Sequence, residues 1–175
     1  VFELLPQDGT GKRVLDMASG PGVMAEELVK RGFSLECVDA APEMIDLAKK
    51  KYGSLKNVNF SVGDVYKIAF PDNSMDAVTA MGLVEYLDDQ DKAMEEMARV
   101  TKKGGKVIVT YPNKPSFWRT WARVLRALTD LPRALYRKLT GKSKYPITHR
   151  EYTETDARAY MERHGLTVDS VVYYN

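Results

Sequence analysis

The chain has 175 residues, of which 44% are hydrophobic and 29% are charged, and its formal net charge is +2. This is the composition of an ordinary globular protein, and it excludes a low-complexity chain. No apolar run reaches the roughly 18 residues that a transmembrane helix needs, and the opening residues do not resemble a secretory signal. The single cysteine, Cys37, excludes a disulfide framework and a cysteine-based metal site, so we expect a cytoplasmic location.

Short apolar runs alternate with helical patterns along the first 111 residues. In chain order they predict a strand over Arg13–Ala18, a helix over Val23–Arg31, a strand over Ser34–Asp39, a helix over Pro42–Tyr52, strands over Val58–Val62 and Asp76–Ala80, a helix over Gln90–Val100, a turn at Gly104–Gly105 and a fifth strand over Lys106–Tyr111. Repeated strand–helix–strand units with short connections form parallel sheets with helices on both faces. The sequence therefore predicts a three-layer α/β fold with a mostly parallel, twisted sheet.

A basic, aromatic-rich insertion interrupts this alternation over residues 112–150. Residues 114–144 contain nine basic side chains and one acidic one, Asp130, so the rest of the chain is net acidic. Apolar residues recur there at helical spacing, namely Phe117, Trp121, Val124, Leu125 and Leu128. Basic amphipathic helices of this kind lie on membrane surfaces or over apolar pockets. Three interpretations stay open: a lid packed on the domain, a membrane-surface or anionic-lipid contact, and nucleic-acid binding, which the acidic remainder disfavours.

The alternating pattern resumes after the insertion. A helix is predicted over Glu154–His164, with Gly165 in the usual position after a helix end, followed by a sixth strand over Thr167–Tyr174. We therefore expect residues 1–175 to form one domain that carries the insertion as a helical lid between strands 5 and 6.

The segment Val14–Gly22 carries the strongest signal for a binding site. Gly20 and Gly22 would let a ligand approach the backbone at the start of a helix, and they also fit the weakly specific dinucleotide pattern G-x-G-x-x-G/A. Asp39, at the end of the second strand, could accept the ribose hydroxyls of either kind of cofactor. Asp16, near the end of the first strand, suits a cationic ligand better than it suits a pyrophosphate.

These segments resemble the class I S-adenosylmethionine (SAM) dependent methyltransferases. Four segments match this family in order and at its spacings, namely Val14–Gly22, Cys37–Asp39, Val62–Val65 and Thr101–Val109. The resemblance implies a Rossmann-like fold and SAM as the cofactor, with S-adenosylhomocysteine (SAH) as its product. Ala18 departs from the family, which has a glycine there; alanine should be tolerated if its φ is negative.

The resemblance also implies roles for individual residues. Gly20 and Gly22 would lie against the methionine part of SAM, Asp39 would bind the ribose, Asp64 the adenine amino group, and Asp16 would orient the loop and the ammonium group. The full predicted cofactor set is Asp16, Ala18, Gly20, Gly22, Asp39, Ala40, Asp64, Val65 and Met81.

Met81–Leu87 would line the side of the site that receives the methyl acceptor. The candidate catalytic residues are Glu85 and Tyr86 in this segment and His149 in the insertion, whereas His164 fits a structural role at a helix end. Some relatives that methylate quinone precursors have a histidine where Tyr86 stands, so a metal site is not carried over from them. A general base is needed only if the acceptor must lose a proton.

The acceptor is expected to be a small, hydrophobic or lipid-like molecule that receives the methyl group on O, N or C. Two other functions stay open: an NAD-type dinucleotide-binding domain, and a non-catalytic methyltransferase-like module that binds a partner. The family's sheet has seven strands, the last antiparallel, and a helix before the first. Val1–Leu5 resembles the tail of that helix, so we expect the ends of the family's fold, including the antiparallel strand, to be missing.

Overall fold

The computed structural model describes residues 1–112 and 152–173. Its strands are β1 (Arg13–Met17), β2 (Ser34–Asp39), β3 (Val58–Val62), β4 (Met75–Ala80) and β5 (Thr101–Val109). Its helices are α1 (Ala25–Lys30), α2 (Pro42–Tyr52), α3 (Gln90–Val100) and α4 (Glu154–Arg163), with a short 3-10 turn over Val84–Tyr86. No helix among these residues is long and apolar enough to cross a membrane.

The five strands form one parallel sheet in the order β3-β2-β1-β4-β5. β1 pairs with β2 on one side and with β4 on the other, so the winding reverses at β1. This register sets Asp16 opposite Cys37 on β2 and opposite Thr79 on β4. Ligands of open α/β sheets bind beyond the carboxyl ends of the strands at such a reversal.

Two apolar clusters cover the two faces of the sheet. On one face α1 and α2 pack on the sheet through buried residues that include Leu28 and Ile45. On the other face α3 and α4 do so through residues that include Met94 and Tyr160. The predicted three-layer α/β fold with helices on both faces is thus confirmed.

The helix starts follow from local chemistry. Pro42 occupies the first turn of α2, where its missing N–H costs no hydrogen bond. The Asp89 side chain caps α3 by accepting from the Lys92 N–H at 3.1 Å. Thr153 and Asp156 form a reciprocal capping box at the start of α4, which fixes where this helix begins.

The prediction for the fifth strand was wrong at its start. Gly104–Gly105 is not a turn that precedes the strand, because β5 begins at Thr101 and continues through both glycines. The pairing with β4 shifts from Met75 opposite Thr101 to Ala77 opposite Lys106, so extra residues of β5 bulge out there. Gly104, with φ of +75°, supplies the left-handed backbone conformation that this irregularity needs.

Two predictions at the ends of the chain were also wrong. Residues 2–5 form turns and a bend instead of a helix tail. Residues 167–173 form no strand, and Val172 and Tyr173 are more than half exposed. Strand-like composition is insufficient there because a strand needs a hydrogen-bonded neighbour, and these residues have none in the described sheet. Residues 113–151, with the predicted lid, lie outside the described residues.

Candidate functional site

The loop after β1 is held in a left-handed conformation. Ala18, Gly20 and Gly22 have φ values of +54°, +53° and +74°. The condition under which alanine was expected to be tolerated, a negative φ, is therefore not met at Ala18, and a side chain stands where only glycine is free of strain. The Ser19 N–H donates to the Val38 carbonyl oxygen at 3.1 Å, which fixes the loop against β2.

The two glycines of this loop have different surroundings. A Cβ added to Gly20 would meet no described atom within 4 Å, so the space above it is open. A Cβ added to Gly22 would lie 2.9 Å from Cε1 of Phe60 and 3.4 Å from the Ala48 Cβ. Gly22 is therefore needed for packing against α2 and β3, a role that the sequence did not reveal.

Asp39 ties the end of β2 to the loop. Its Oδ2 accepts from the Gly20 N–H at 2.8 Å, and its Oδ1 accepts from the Ala41 N–H at 2.9 Å. A carboxylate can accept about four hydrogen bonds, so both oxygens keep capacity for ligand hydroxyl groups. Ala40, the next residue, is exposed.

Asp16 lies in the interior beneath the loop, with only 2% of its surface exposed. Its Oδ1 accepts from the Thr79 hydroxyl at 2.8 Å. Burial raises the pKa of Asp16 to about 7; the Thr79 hydrogen bond opposes this rise, and the charge of Asp39 adds to it. Thr79 was missed by the sequence analysis, although a hydroxyl within a buried, otherwise apolar strand could have signalled it.

The segment after β3 contributes Asp64 and Val65. Asp64 is exposed, and its Oδ1 accepts from the Tyr66 N–H at 2.8 Å. Val65 is buried among the residues that pack on α3. A cavity of about 190 Å³ lies beside them, with Leu15, Met17 and Val38 in its wall.

A larger cavity of about 990 Å³ lies along β5 and away from this cluster of carboxylates. Met81 is the one predicted cofactor residue that lines it. None of the three predicted cofactor carboxylates lines this larger cavity, whereas Asp39 bonds directly to the loop after β1. The cavity walls next to Met81 and Tyr111 lie at the carboxyl ends of β4 and β5, on the side predicted for the acceptor.

Residues 81–89, called the acceptor segment below, follow β4. The Glu85 Oε2 atom is buried and has no hydrogen-bond partner among the described residues. Tyr86 is 55% exposed. The Gly82 N–H donates to the Thr110 Oγ1 at 2.7 Å, and the buried Gln90 side chain donates to the Val84 carbonyl oxygen at 2.6 Å.

The chain also contains two histidines. His149 lies outside the described residues. His164 ends α4, and its Nε2 is 3.1 Å from Asp91 Oδ1, a contact between α4 and α3. Among the residues that the structure describes, no group of three or more histidine, cysteine or acidic side chains could hold a metal ion.

The structure thus brings Asp16, Ala18, Gly20 and Asp39 together at the reversal of the winding. Asp64 and Val65 follow the neighbouring strand β3, and Glu85 follows β4. Besides Thr79, sequence reasoning missed Tyr66 and Gln90, which hold the acceptor segment through their side chains. Their type alone gives no signal, because a tyrosine in a loop and a glutamine at a helix start are common on protein surfaces.

Comparisons with known proteins agree with this geometry. Residues 15–109 match the protein family described as "Methyltransferase domain". A demethylmenaquinone methyltransferase of Renibacterium salmoninarum is 36% identical over 107 residues, 61% of this chain and 44% of that protein. One from Corynebacterium glutamicum is 35% identical over 129 residues, 71% of this chain and 54% of that protein. The chain thus spans about half the length of these relatives.

A solved structure supports the same fold. The SAM-dependent methyltransferase of Aquifex aeolicus superposes on this chain with a TM-score of 0.70 at 22% identity, over 98% of this chain and 80% of that one. The family match covers more than half of the chain and contains the left-handed loop, Asp39 and Asp64. The chain therefore belongs to the methyltransferase domain family, among the class I SAM-dependent methyltransferases.

Proposed function

We propose that this protein transfers a methyl group from SAM to an apolar, lipid-like acceptor. The observation that carries the proposal is the pair of carboxylates, Asp16 and Asp39, on either side of an open left-handed loop at the reversal of the winding. A cationic ligand with a ribose fits such a loop. Asp16 would face the positive charge, and Asp39 would accept hydrogen bonds from the ribose hydroxyl groups.

The residues present fit SAM. The space above Gly20 is open, so the methionine part can approach the backbone closely. In this proposal Asp39 accepts from the ribose hydroxyls, Asp16 balances the ammonium group, and Asp64 accepts from the adenine amino group. The small cavity beside Asp64 and Val65 is lined largely by apolar groups, which suits an adenine ring.

When bound, SAM supplies a methyl group already activated on a sulfonium. The protein then has to hold the acceptor in line with that methyl group, and such alignment alone can account for much of the rate. The acceptor segment and the end of β5 would provide the acceptor side. The buried Glu85 Oε2, which has no hydrogen-bond partner within residues 1–112 and 152–173, would accept a hydrogen bond or a proton from an acceptor that must lose one.

The acceptor class rests on two observations. The two curated relatives described above are named demethylmenaquinone methyltransferases, which indicates a quinone precursor with an apolar tail. The basic amphipathic pattern over residues 114–144 suits an acceptor that resides at a membrane surface. We therefore propose a quinone-like acceptor and a peripheral membrane contact through this stretch, in a protein of the cytoplasm.

Calorimetric titration with SAM, SAH and NAD in parallel tests the cofactor. Micromolar binding of SAM and SAH without NAD supports the proposal, and Asp39→Ala should then weaken SAH binding by at least tenfold because the ribose loses its acceptor. Binding of NAD alone would mean a dinucleotide domain instead.

Turnover is tested with a short-chain demethylmenaquinone, kept reduced as its electron-rich hydroquinone, and SAM carrying a labelled methyl group. We expect label in the quinone and a drop of about 100-fold or more in kcat for Glu85→Gln if this carboxylate acts as a base. Binding of SAM without transfer to this or related quinones would favour the partner-binding module.

A further inference from the structure

Among the described residues, the Tyr66 side chain makes a hydrogen-bonded connection between the acceptor segment and the loop after β3, which carries Asp64. Its hydroxyl oxygen accepts from the Asp88 N–H at 3.1 Å and from the Asp89 N–H at 3.4 Å. Its own N–H donates to the Asp64 carboxylate at 2.8 Å. A chain of hydrogen bonds therefore runs from the predicted adenine acid, through Tyr66, to the end of the acceptor segment.

The loop that carries Tyr66 is anchored, so its position is well defined. Val65 and Ile68 are buried in the cluster against α3. The Ile68 N–H donates to Glu96 Oε2 at 2.7 Å, and the Arg99 guanidinium donates to the Ile68 carbonyl oxygen at 3.0 Å. Because α3 holds both the backbone and the side chains of this loop, Tyr66 has a defined position beside Asp64.

The acceptor segment has a second support that does not pass through the loop after β3. Thr110, at the end of β5, accepts from the Gly82 N–H at 2.7 Å. Asp88 and Asp89 are exposed and lie at the other end of the segment, where the Asp89 side chain caps α3. The two ends of the segment are thus held by different elements, and the Tyr66 hydroxyl connects one of them to the loop that carries Asp64.

We infer that Tyr66 is a positioning residue whose hydroxyl couples ligand binding at the Asp64 carboxylate to the order of the acceptor segment. This inference rests on the proposed function, because the ligand at Asp64 would be SAM or SAH. A ligand that engages the Asp64 carboxylate fixes the Asp64–Tyr66 turn, and the Tyr66 hydroxyl then holds the backbone N–H groups before α3 more firmly. The cofactor would thereby prepare the acceptor side before the acceptor arrives.

The test is amide hydrogen exchange, resolved by residue with NMR, at saturating SAH and without it. In the wild-type protein we expect SAH to slow exchange of the Asp88 and Asp89 amides by roughly two- to tenfold, the change that one hydrogen bond of ordinary strength produces. In Tyr66→Phe the slowing should be absent. Phenylalanine keeps the ring that lies 5.9 Å from the Lys92 ammonium group, so packing is preserved.

Thr110→Val is the matched control. It removes the bond to the Gly82 N–H, so that amide should exchange faster in both states, whereas the SAH effect at Asp88 and Asp89 should persist. Reciprocity of coupling also requires Tyr66→Phe to bind SAH more weakly, by the same factor that SAH slows exchange in the wild type.

The outcomes separate this inference from the proposed function. Micromolar SAH binding with equal slowing in the wild type and Tyr66→Phe, or with no slowing in either, overturns the coupling and leaves the proposed function standing. Failure of SAH to bind the wild type overturns both.

Discussion

Asp16 combines a predicted binding role with a cost to stability. It is almost fully buried, and the Thr79 hydroxyl is the one side chain that donates to it among the described residues. Burial raises its pKa from an ordinary value of 3.8 to about 7. The unfolded chain loses this proton near pH 4 and the folded chain only near pH 7, so the folded state binds more protons between these values. The free energy of unfolding therefore falls as pH rises through this window.

We expect Asp16→Asn to remove most of this pH dependence. Asparagine keeps an oxygen for the Thr79 hydroxyl and cannot ionise, so at pH 8 the variant should be more stable by on the order of 3 kcal/mol. Urea unfolding between pH 4.5 and 8 measures this difference. The same variant should bind SAM more weakly, because the ammonium group loses its counter-charge. Wild-type and variant stabilities that run parallel over this range would contradict the assignment.

Ala18 is strained in the folded chain. Its φ of +54° lies in the left-handed region, which disfavours every residue with a Cβ. Replacement by glycine should raise the free energy of unfolding by about 1 kcal/mol, since the relief of strain exceeds the entropy that glycine adds to the unfolded chain. Chemical denaturation measures this difference. A loss of stability in Ala18→Gly would show that the positive φ is not retained in solution.

At the scale of elements, the loop between β1 and α1 offers a pair of glycines for comparison. Both have positive φ, so alanine is strained at either position, by about 1 kcal/mol. Only at Gly22 would the new Cβ also press on Phe60, at 2.9 Å. Gly20→Ala would instead fill the open space that we assign to the cofactor.

We therefore expect the two variants to fail in different ways. Gly22→Ala should lose about 2–4 kcal/mol of stability, because overpacking adds to the backbone strain. Gly20→Ala should lose about 1 kcal/mol of stability but at least tenfold in SAH affinity. Thermal unfolding and calorimetry on the same preparations distinguish these effects. If Gly20→Ala and Gly22→Ala instead lost SAH affinity equally and had similar stabilities, the loop would act in binding only through its backbone conformation, and not through the open space above Gly20.

The sequence predicted an element correctly where the hydrophobic periodicity of that element alone determines it, and failed where the element depends on its pairing with another strand. β2, α2, β3 and α3 match their predicted bounds, because buried strands and amphipathic helices show clear periodicity. β5 was predicted to begin too late, since its bulge at Gly104 depends on the pairing with β4. The sixth strand failed because pairing partners cannot be inferred from a segment's own composition.

The candidate site was predictable only as a set of side chains. Asp16, Gly20 and Asp39 lie at or just beyond the carboxyl ends of their strands, so parallel pairing alone brings them close together. Contacts made through the backbone were not predictable: the hydrogen bond from the Gly20 N–H to Asp39 and the φ of Ala18 depend on the path of the loop. The hydrogen bond between Tyr66 and the acceptor segment joins residues 22 positions apart, and no local pattern encodes it.

At the scale of the whole molecule, charge is concentrated in one stretch. Residues 114–144 carry nine basic side chains and one acidic one, while the rest of the chain is net acidic. If this stretch contacts an anionic membrane, each basic residue near the surface adds about 1 kcal/mol at moderate salt. The acidic remainder would be repelled, which would orient the protein on that surface.

We therefore expect the protein to co-sediment with vesicles that contain anionic lipid and to be released as salt is raised, because salt screens exposed charges. The triple substitution of Arg119, Arg123 and Arg126 by glutamate should abolish the binding and leave SAH affinity unchanged. Vesicles of neutral lipid serve as the control. Equal binding to neutral vesicles would mean that charge does not guide the contact.

The Tyr152 N–H donates to the Pro112 carbonyl oxygen at 3.0 Å, so the chain leaves the sheet region and returns to it at one point. Such a closed junction makes residues 113–151 exchangeable in principle: one insertion can be grafted in place of another without redirecting the strands or the loop after β1. The choice of methyl acceptor could then change through replacement of residues 113–151, while the residues proposed to bind SAM stay the same.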